Sequence, residues 1–313
     1  MLNKFIICLV ILSQILTIYS IEDPLFQKFQ EFSLKYNKVY PSYIELQARF
    51  ENFKKNFFEN AFSGEAKKGI TEFFDLSAEE LKMLKPRKCT HDPETPLINL
   101  DKYSKDVPDT LDWRTNGKVS PVKNQSQLDT SFAFSSVAYL ESQSLIRYNK
   151  ANLYSERQIL DCDTDTSHLM ESALLYVEKY GIESEYDYGK GNVKDQCKYD
   201  PSKVISKVKA VRCYEDVLTL TMKTYLNSVG PLSIGISAID LTTYMGGVLE
   251  CKVNDVMDLG VLLIGYGHDN GNEYWLVKNS WGKSWGEGGF AKISMAEGKN
   301  CGIGQYVVDA DME

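Results

Sequence analysis

The chain has 313 residues, 43% hydrophobic and 25% charged, the balance of a soluble globular protein with room for one large domain or two smaller ones. Its formal net charge of −8 argues against nucleic acid or an anionic membrane as the main partner. Charge is silent on fold.

Residues 1–20 read as a signal peptide. Lys4 supplies the positive start, residues 5–19 are mostly apolar, and Ser20 is a small residue at the cleavage point. A transmembrane anchor is the competing reading, but the stretch is short and Glu22 and Asp23 follow at once. No later segment has the length or apolarity of a span. Secretion implies an oxidising compartment. Of the seven cysteines, Cys8 leaves with the signal peptide. The remaining six, Cys89, Cys162, Cys197, Cys213, Cys251 and Cys301, fit a disulfide framework whose connectivity a count does not fix.

Residues 24–60 read as two charged helices. Phe26, Phe29, Phe32 and Leu34 form one apolar stripe, and Ile44, Phe50, Phe53 and Phe57 a second. Pro41 and Ser42 lie between them and suit a helix start. Over 85–107 the pattern weakens, and Pro86, Pro93 and Pro96 predict an extended linker and a boundary. From Pro108 onward one domain is expected. Helices are predicted over 131–148, over 169–180 with Gly181 as its stop, and over 216–229 with Asp216 as its cap. Strands follow at 232–237, 260–267, 273–277 and 289–293, with a hairpin turn at Asp269-Asn270-Gly271. Helices first and strands later predict an α+β fold in two lobes.

The segment Pro121-Val122-Lys123-Asn124-Gln125, followed by Ser131-Phe132-Ala133-Phe134-Ser135, resembles the catalytic block of the papain family of cysteine proteases. Asp112-Trp113-Arg114, Leu160-Asp161-Cys162-Asp163, Gly265-Tyr266-Gly267, Lys278-Asn279-Ser280-Trp281-Gly282 and Trp285-Gly286-Glu287 resemble further signatures of that family, in order. Glu45, Arg49, Phe53 and Asn56 resemble its inhibitory propeptide helix. The resemblance implies a papain-like fold, with a helical lobe facing a β-rich lobe across a cleft. It divides the chain into a signal peptide (1–20), a propeptide (21–106) and a papain-like domain (107–313).

Peptide cleavage in that family needs a thiolate, a base, a group that orients the base and an oxyanion donor. A cysteine at a helix N-terminus beside an imidazolium gives the thiolate. The resemblance places Ser131 at the nucleophile position and Leu259, in Met257-Asp258-Leu259-Gly260-Val261, at the histidine position. Serine does not ionise near neutrality, and leucine has no proton chemistry. Gln125 matches the oxyanion glutamine, Asn279 the orienting asparagine and Trp281 the tryptophan that shields it. Three other histidines exist. His91 falls in the propeptide or linker and His268 in a distant hairpin. His168, near the cleft, is expected to be a solvated loop residue.

The resemblance also implies an altered cleft. The disulfide that the family carries beside its nucleophile is missing from both sides, at Leu128 and Asp165. Ser167 and His168 stand where two glycines line the non-primed wall, which should narrow it. By the same resemblance Cys162 pairs with Cys197 and Cys251 with Cys301. Cys213 falls where group-1 mite allergens have an extra cysteine, which makes a Cys89–Cys213 bond an expectation. Asn124-Gln125-Ser126 is an N-glycosylation sequon, against which stands the expectation that Asn124 is too enclosed.

The expected function is that of a secreted, catalytically inactive homologue, similar to the inactivated cysteine-protease paralogues of parasitic mites. Its expected partner is a protein ligand in the reshaped cleft: a host protein, a protease substrate or an inhibitor. No nucleic acid, membrane, cofactor or metal is expected. Residual or serine-based proteolysis through Ser131, and a regulatory role beside active paralogues, are the alternatives.

Overall fold

Two helices open the described part of the chain, α1 (Pro24–Lys35) and α2 (Tyr43–Asn60). The structure, a computed structural model, describes residues 24–36, 38–60, 67–70, 74–77, 80, 89, 107–126, 130–165, 167–191, 194–251 and 257–313. The signal-peptide reading, His91, Leu128 and most of the linker at 85–107 lie outside the described residues.

Between the helices, the Ser42 hydroxyl accepts from the Glu45 N–H at 3.1 Å and caps α2. Phe29, Phe32, Phe50, Phe53 and Phe74 then close a small core of their own. Arg49 joins Glu45 and Glu80, each at 2.7 Å. Asn56 Nδ2 donates to the carbonyls of Phe74 and Leu76, each at 3.0 Å. The Glu45, Arg49, Phe53 and Asn56 pattern therefore holds a returning segment against α2. That segment is stitched to the larger unit, because β1 (Lys67–Lys68) pairs antiparallel with β7 (Tyr244–Gly246).

The larger unit starts with β2 (Leu111–Asp112). It continues through α3 (Ser131–Tyr148), α4 (Glu156–Cys162), α5 (Met170–Tyr180), β3 (Ile182–Glu183), β4 (Val204–Ser206), β5 (Val208–Tyr214) and α6 (Thr219–Ser228). The β-rich part holds β6 (Leu232–Ile236), β7, β8 (Val248–Leu249), β9 (Leu259–Asp269), β10 (Asn272–Lys278), β11 (Phe290–Ser294) and β12 (Tyr306–Met312). The main sheet runs β5-β12-β6-β9-β10-β11-β8, with β2 alongside β9. Its pairs are antiparallel except β11 with β8.

Strand β9 explains the two lobes. Leu259, Val261 and Leu263 face one core with Ile234, Val277 and Trp281, whereas Leu262 and Ile264 face a second core with α3, α4 and α5. Alternation has period two, and both faces are covered, so the strand is apolar from Leu259 through Ile264. Helix α3 lies between the lobes, with Ser131 through Ser144 buried. Its approach to β9 requires Gly260, where a Cβ would stand 2.9 Å from the Ser131 carbonyl oxygen and 3.1 Å from Ser135 Cβ. The β9–β10 hairpin turns at Asn270 (φ 51°) and Gly271 (φ 85°), both left-handed, as a two-residue turn of this kind demands.

The expected cap at Asp216 is not what forms. Helix α6 starts at Thr219 after an extended Leu218 that makes no side-chain cap, and Asp216 sits at φ 51° in the turn before it. Helix α4 and strands β5 and β12 carry no counterpart in the sequence reading. All three cysteine pairs are joined: Cys89–Cys213, Cys162–Cys197 and Cys251–Cys301.

Candidate functional site

The N-terminus of α3 meets the start of β9 at the lobe junction. Ser131 is fully buried, and its Oγ accepts a hydrogen bond from the Gly260 N–H at 3.0 Å. Leu259, one residue earlier, is 1% exposed and part of the β-lobe core. Gln125 is fully buried as well. Its N–H donates to the Ser280 carbonyl at 2.8 Å, and Ser280 Oγ donates to Gln125 Oε1 at 2.5 Å. Asn279, at the end of the β10 strand, is 1% exposed. Its Oδ1 accepts from the Ser280 N–H at 2.7 Å, and its Nδ2 has no partner among the described residues. Trp281 packs edge-on to Trp285, with ring centroids 5.2 Å apart. The structure thus gathers Ser131, Leu259, Gln125, Asn279 and Trp281 at one junction.

The loop before α5 holds the residues expected on the cleft wall. His168 takes a left-handed backbone (φ 55°), where glycine is the default residue, and its ring stacks flat on Phe132, 5.1 Å away and 5° from parallel. It is exposed. Asp165 Oδ1 accepts from the Ser167 N–H at 2.7 Å, and hydrogen bonds from Ser167 hold the Asp165 carboxyl below its usual range. Asp163 goes the other way, raised by burial. His268 lies nine residues along β9 from Leu259, roughly 30 Å at the strand rise. Asn124 is exposed, contrary to the enclosure expected of it. Its backbone bridges to Trp281.

Behind the junction is a cavity that the sequence reading missed, lined in part by Lys123, Glu141, Glu156, Lys278 and Asn279. Lys123 Nζ contacts carboxylates of Glu141 at 2.8 Å, Glu156 at 2.7 Å and Glu185 at 2.5 Å. Burial opposes its charge, but Glu141 and Glu156 outweigh this and raise its pKa above the usual lysine value. The three carboxylates converge as metal ligands would, with the ammonium already among them. Lys278 Nζ donates to Ser120 Oγ at 2.8 Å, and Ser120 Oγ bonds Glu141 in turn. Burial pushes Lys278 down to about 8 and Glu156 up to about 7. Of this group, Lys123, Lys278 and Asn279 stood in recognised motifs. The others come from separate segments.

The family profile described as papain family cysteine protease matches residues 107–310. The chain belongs to the papain family. A viral cathepsin of Orgyia pseudotsugata multicapsid polyhedrosis virus is 31% identical over 99% of each chain. Cysteine proteinase 1 of Dictyostelium discoideum is 33% identical over 90% of this chain and 91% of its own. Among solved structures, digestive procathepsin L 3 of Tenebrio molitor larval midgut superposes with a TM-score of 0.78 at 28% identity, over 93% of this chain and 100% of its own. A structure concerning the mite allergens Blo t 1 and Der p 1 superposes with a TM-score of 0.79 at 23% identity, over 90% of this chain and 98% of its own, a likeness of fold. This papain-family chain thus has the α+β, two-lobed architecture of its relatives, with helices α1 and α2 docked as in a procathepsin.

Proposed function

We propose that this chain is a secreted, catalytically inactive papain-family homologue that works by binding a protein in its reshaped cleft. The observation that carries the reading is the environment of Ser131. Its hydroxyl oxygen accepts from the Gly260 N–H, and the neighbouring residue, Leu259, offers no proton acceptor. A positioned general base is worth about 10²–10⁴ in rate. Groups that act as a unit lose nearly everything with one member, so two substitutions leave little proteolysis. Gln125 and Asn279 then serve as buried hydrogen-bonding groups.

The three disulfides support an oxidising compartment. They fit a signal peptide at 1–20, a propeptide at 21–106 and a ligand-binding domain at 107–313. Ser167 and the stacked His168 put side chains on the cleft wall, which favours a ligand different from an ordinary peptide substrate.

The test is hydrolysis of a broad fluorogenic peptide library by the purified mature protein, beside a Ser131→Cys, Leu259→His double variant. A silent wild type with an active double variant supports the reading. Wild-type turnover that disappears in Ser131→Ala overturns it.

A further inference from the structure

We propose that Asn124 is an N-glycosylation site whose glycan stands on the rim of the cleft. The proposal rests on the secretory reading above, and it adds a covalent modification that limits what the cleft admits.

The first observation is the sequon itself, Asn124-Gln125-Ser126. The second is how its three side chains divide in the fold. Gln125 is fully buried, held by Ser280, while Asn124 and Ser126 on either side are exposed. A glycan on Asn124 therefore projects outward, and the folded domain need not rearrange to accommodate it. The third is local conformation. Asn124 Oδ1 accepts from the Ser126 N–H at 3.0 Å, closing an Asx turn over the sequon. Ser126 takes a left-handed backbone (φ 57°) to make it.

Position gives the site its consequence. The Asn124 backbone bridges to Trp281, and the Gly282 N–H donates to the Lys123 carbonyl at 3.0 Å. Asn124 Nδ2 lies 3.3 Å from where a Cβ on Gly282 would stand. The carboxamide is thus seated against the Trp281–Gly282 turn, one residue from Gln125. A glycan at this point covers the side of the cleft that Gln125 and Trp281 border. The ligand is left to approach past Ser167 and His168.

The co-reactant is a lipid pyrophosphate-linked oligosaccharide. Asn124 Nδ2 bonds to C1 of the first sugar, and the bond from C1 to the pyrophosphate oxygen breaks. The lipid pyrophosphate leaves with the bonding pair, and one amide proton passes to a base of the transferase. The hydroxyl of Ser126 is the element the transferase reads.

The experiment is mass spectrometry of the full-length chain secreted from a eukaryotic host, before and after peptide N-glycosidase in ¹⁸O water. The expected result is a glycopeptide at Asn124 that becomes ¹⁸O-labelled aspartate. Ser126→Ala keeps the backbone N–H and the turn, and abolishes modification completely. Asn124→Gln does the same from the acceptor side. Secreted protein with unmodified Asn124 overturns the proposal while leaving the secretory reading intact. Protein that fails to enter the secretory pathway, with Asn124 unmodified, overturns both.

Discussion

Ser131 Oγ accepts a 3.0 Å hydrogen bond from the backbone N–H of Gly260, directly after Leu259 on β9. The contact links the N-terminus of α3 to the opposite lobe. The Ser131 hydroxyl is thus a structural acceptor at the lobe junction. Ser131→Ala leaves the buried Gly260 N–H without that partner, which costs about 1–3 kcal/mol. Denaturant unfolding is expected to show the loss in the midpoint with an unchanged slope. Peptidase assays are expected to show no change at all, and a decrease in turnover would contradict the inactive reading.

Glu156 sets a pH dependence. Burial raises its carboxyl from the usual 4.5 to about 7, partly opposed by Lys123 and reinforced by Glu141. A carboxyl raised on folding binds its proton more tightly in the native state. Its stabilising contribution is therefore present below pH 4.5 and is lost as pH rises through about 7. Glu156→Gln removes that slope, so the variant is expected to lose less stability than wild type between pH 5 and 7. Thermal unfolding across this range checks it. A wild-type profile that rises over the same interval would show that the Lys123 pairing dominates instead.

Much of this architecture was legible because the relevant segments keep a clean period or a recognisable motif. Helix α3 and the β9–β10 hairpin are such cases. Strand β12 was hidden by its acids. Asp309 is 1% exposed inside a sheet, tolerated because Arg212 grips it with two bonds of 2.9 Å and Tyr225 donates at 3.1 Å. An isolated sequence window cannot show a partner 97 residues away. Helix α4 has seven residues, too few for periodicity to register. Asp216 looked like a cap because its side chain suits one, yet the backbone turns left-handed there and the helix starts three residues later. The ring around Lys123 failed to register for another reason. Glu141, Glu156 and Glu185 each sit alone in the sequence and meet only in the fold.

The Cys89–Cys213 bond closes a loop with a sequence separation of 124 residues, from the linker to β5. Chain-entropy reasoning gives a loop of this size roughly 4–5 kcal/mol. A Cys89→Ser, Cys213→Ser variant removes the bond without leaving a lone buried thiol. Its melting temperature is expected to fall by about 10 °C or more, on the scaling of about 2–4 °C per kcal/mol for a domain of this size. The Cys89 N–H also donates to a Glu215 carboxylate at 2.9 Å, a contact this variant leaves available. An unchanged melting temperature would mean that strain or residual unfolded-state structure cancels the entropy.

Asn56 holds the segment that returns along α2. Its Nδ2 serves two backbone carbonyls, those of Phe74 and Leu76, and Leu76 packs against the β-lobe core. Asn56→Ala removes the donor from both carbonyls, while the Phe29, Phe50 and Phe53 core stays filled. The expected effect is local opening rather than global unfolding, because Phe74 closes a small core with α1 and α2 apart from the two larger ones, and Lys38, Tyr40, Arg49 and Asn52 still hold Asp75. A loss of about 1.4 kcal/mol raises the open population tenfold. Under conditions where reclosing outpaces cleavage, limited trypsin digestion should cut the helical N-terminal segment about tenfold faster in the variant, with the papain-family region at 107–310 protected as before. Equal digestion rates would assign the hold on this segment to the Asp75 contacts together with Arg49 and Glu80. Their two-bond pairing would then be the contact to break next.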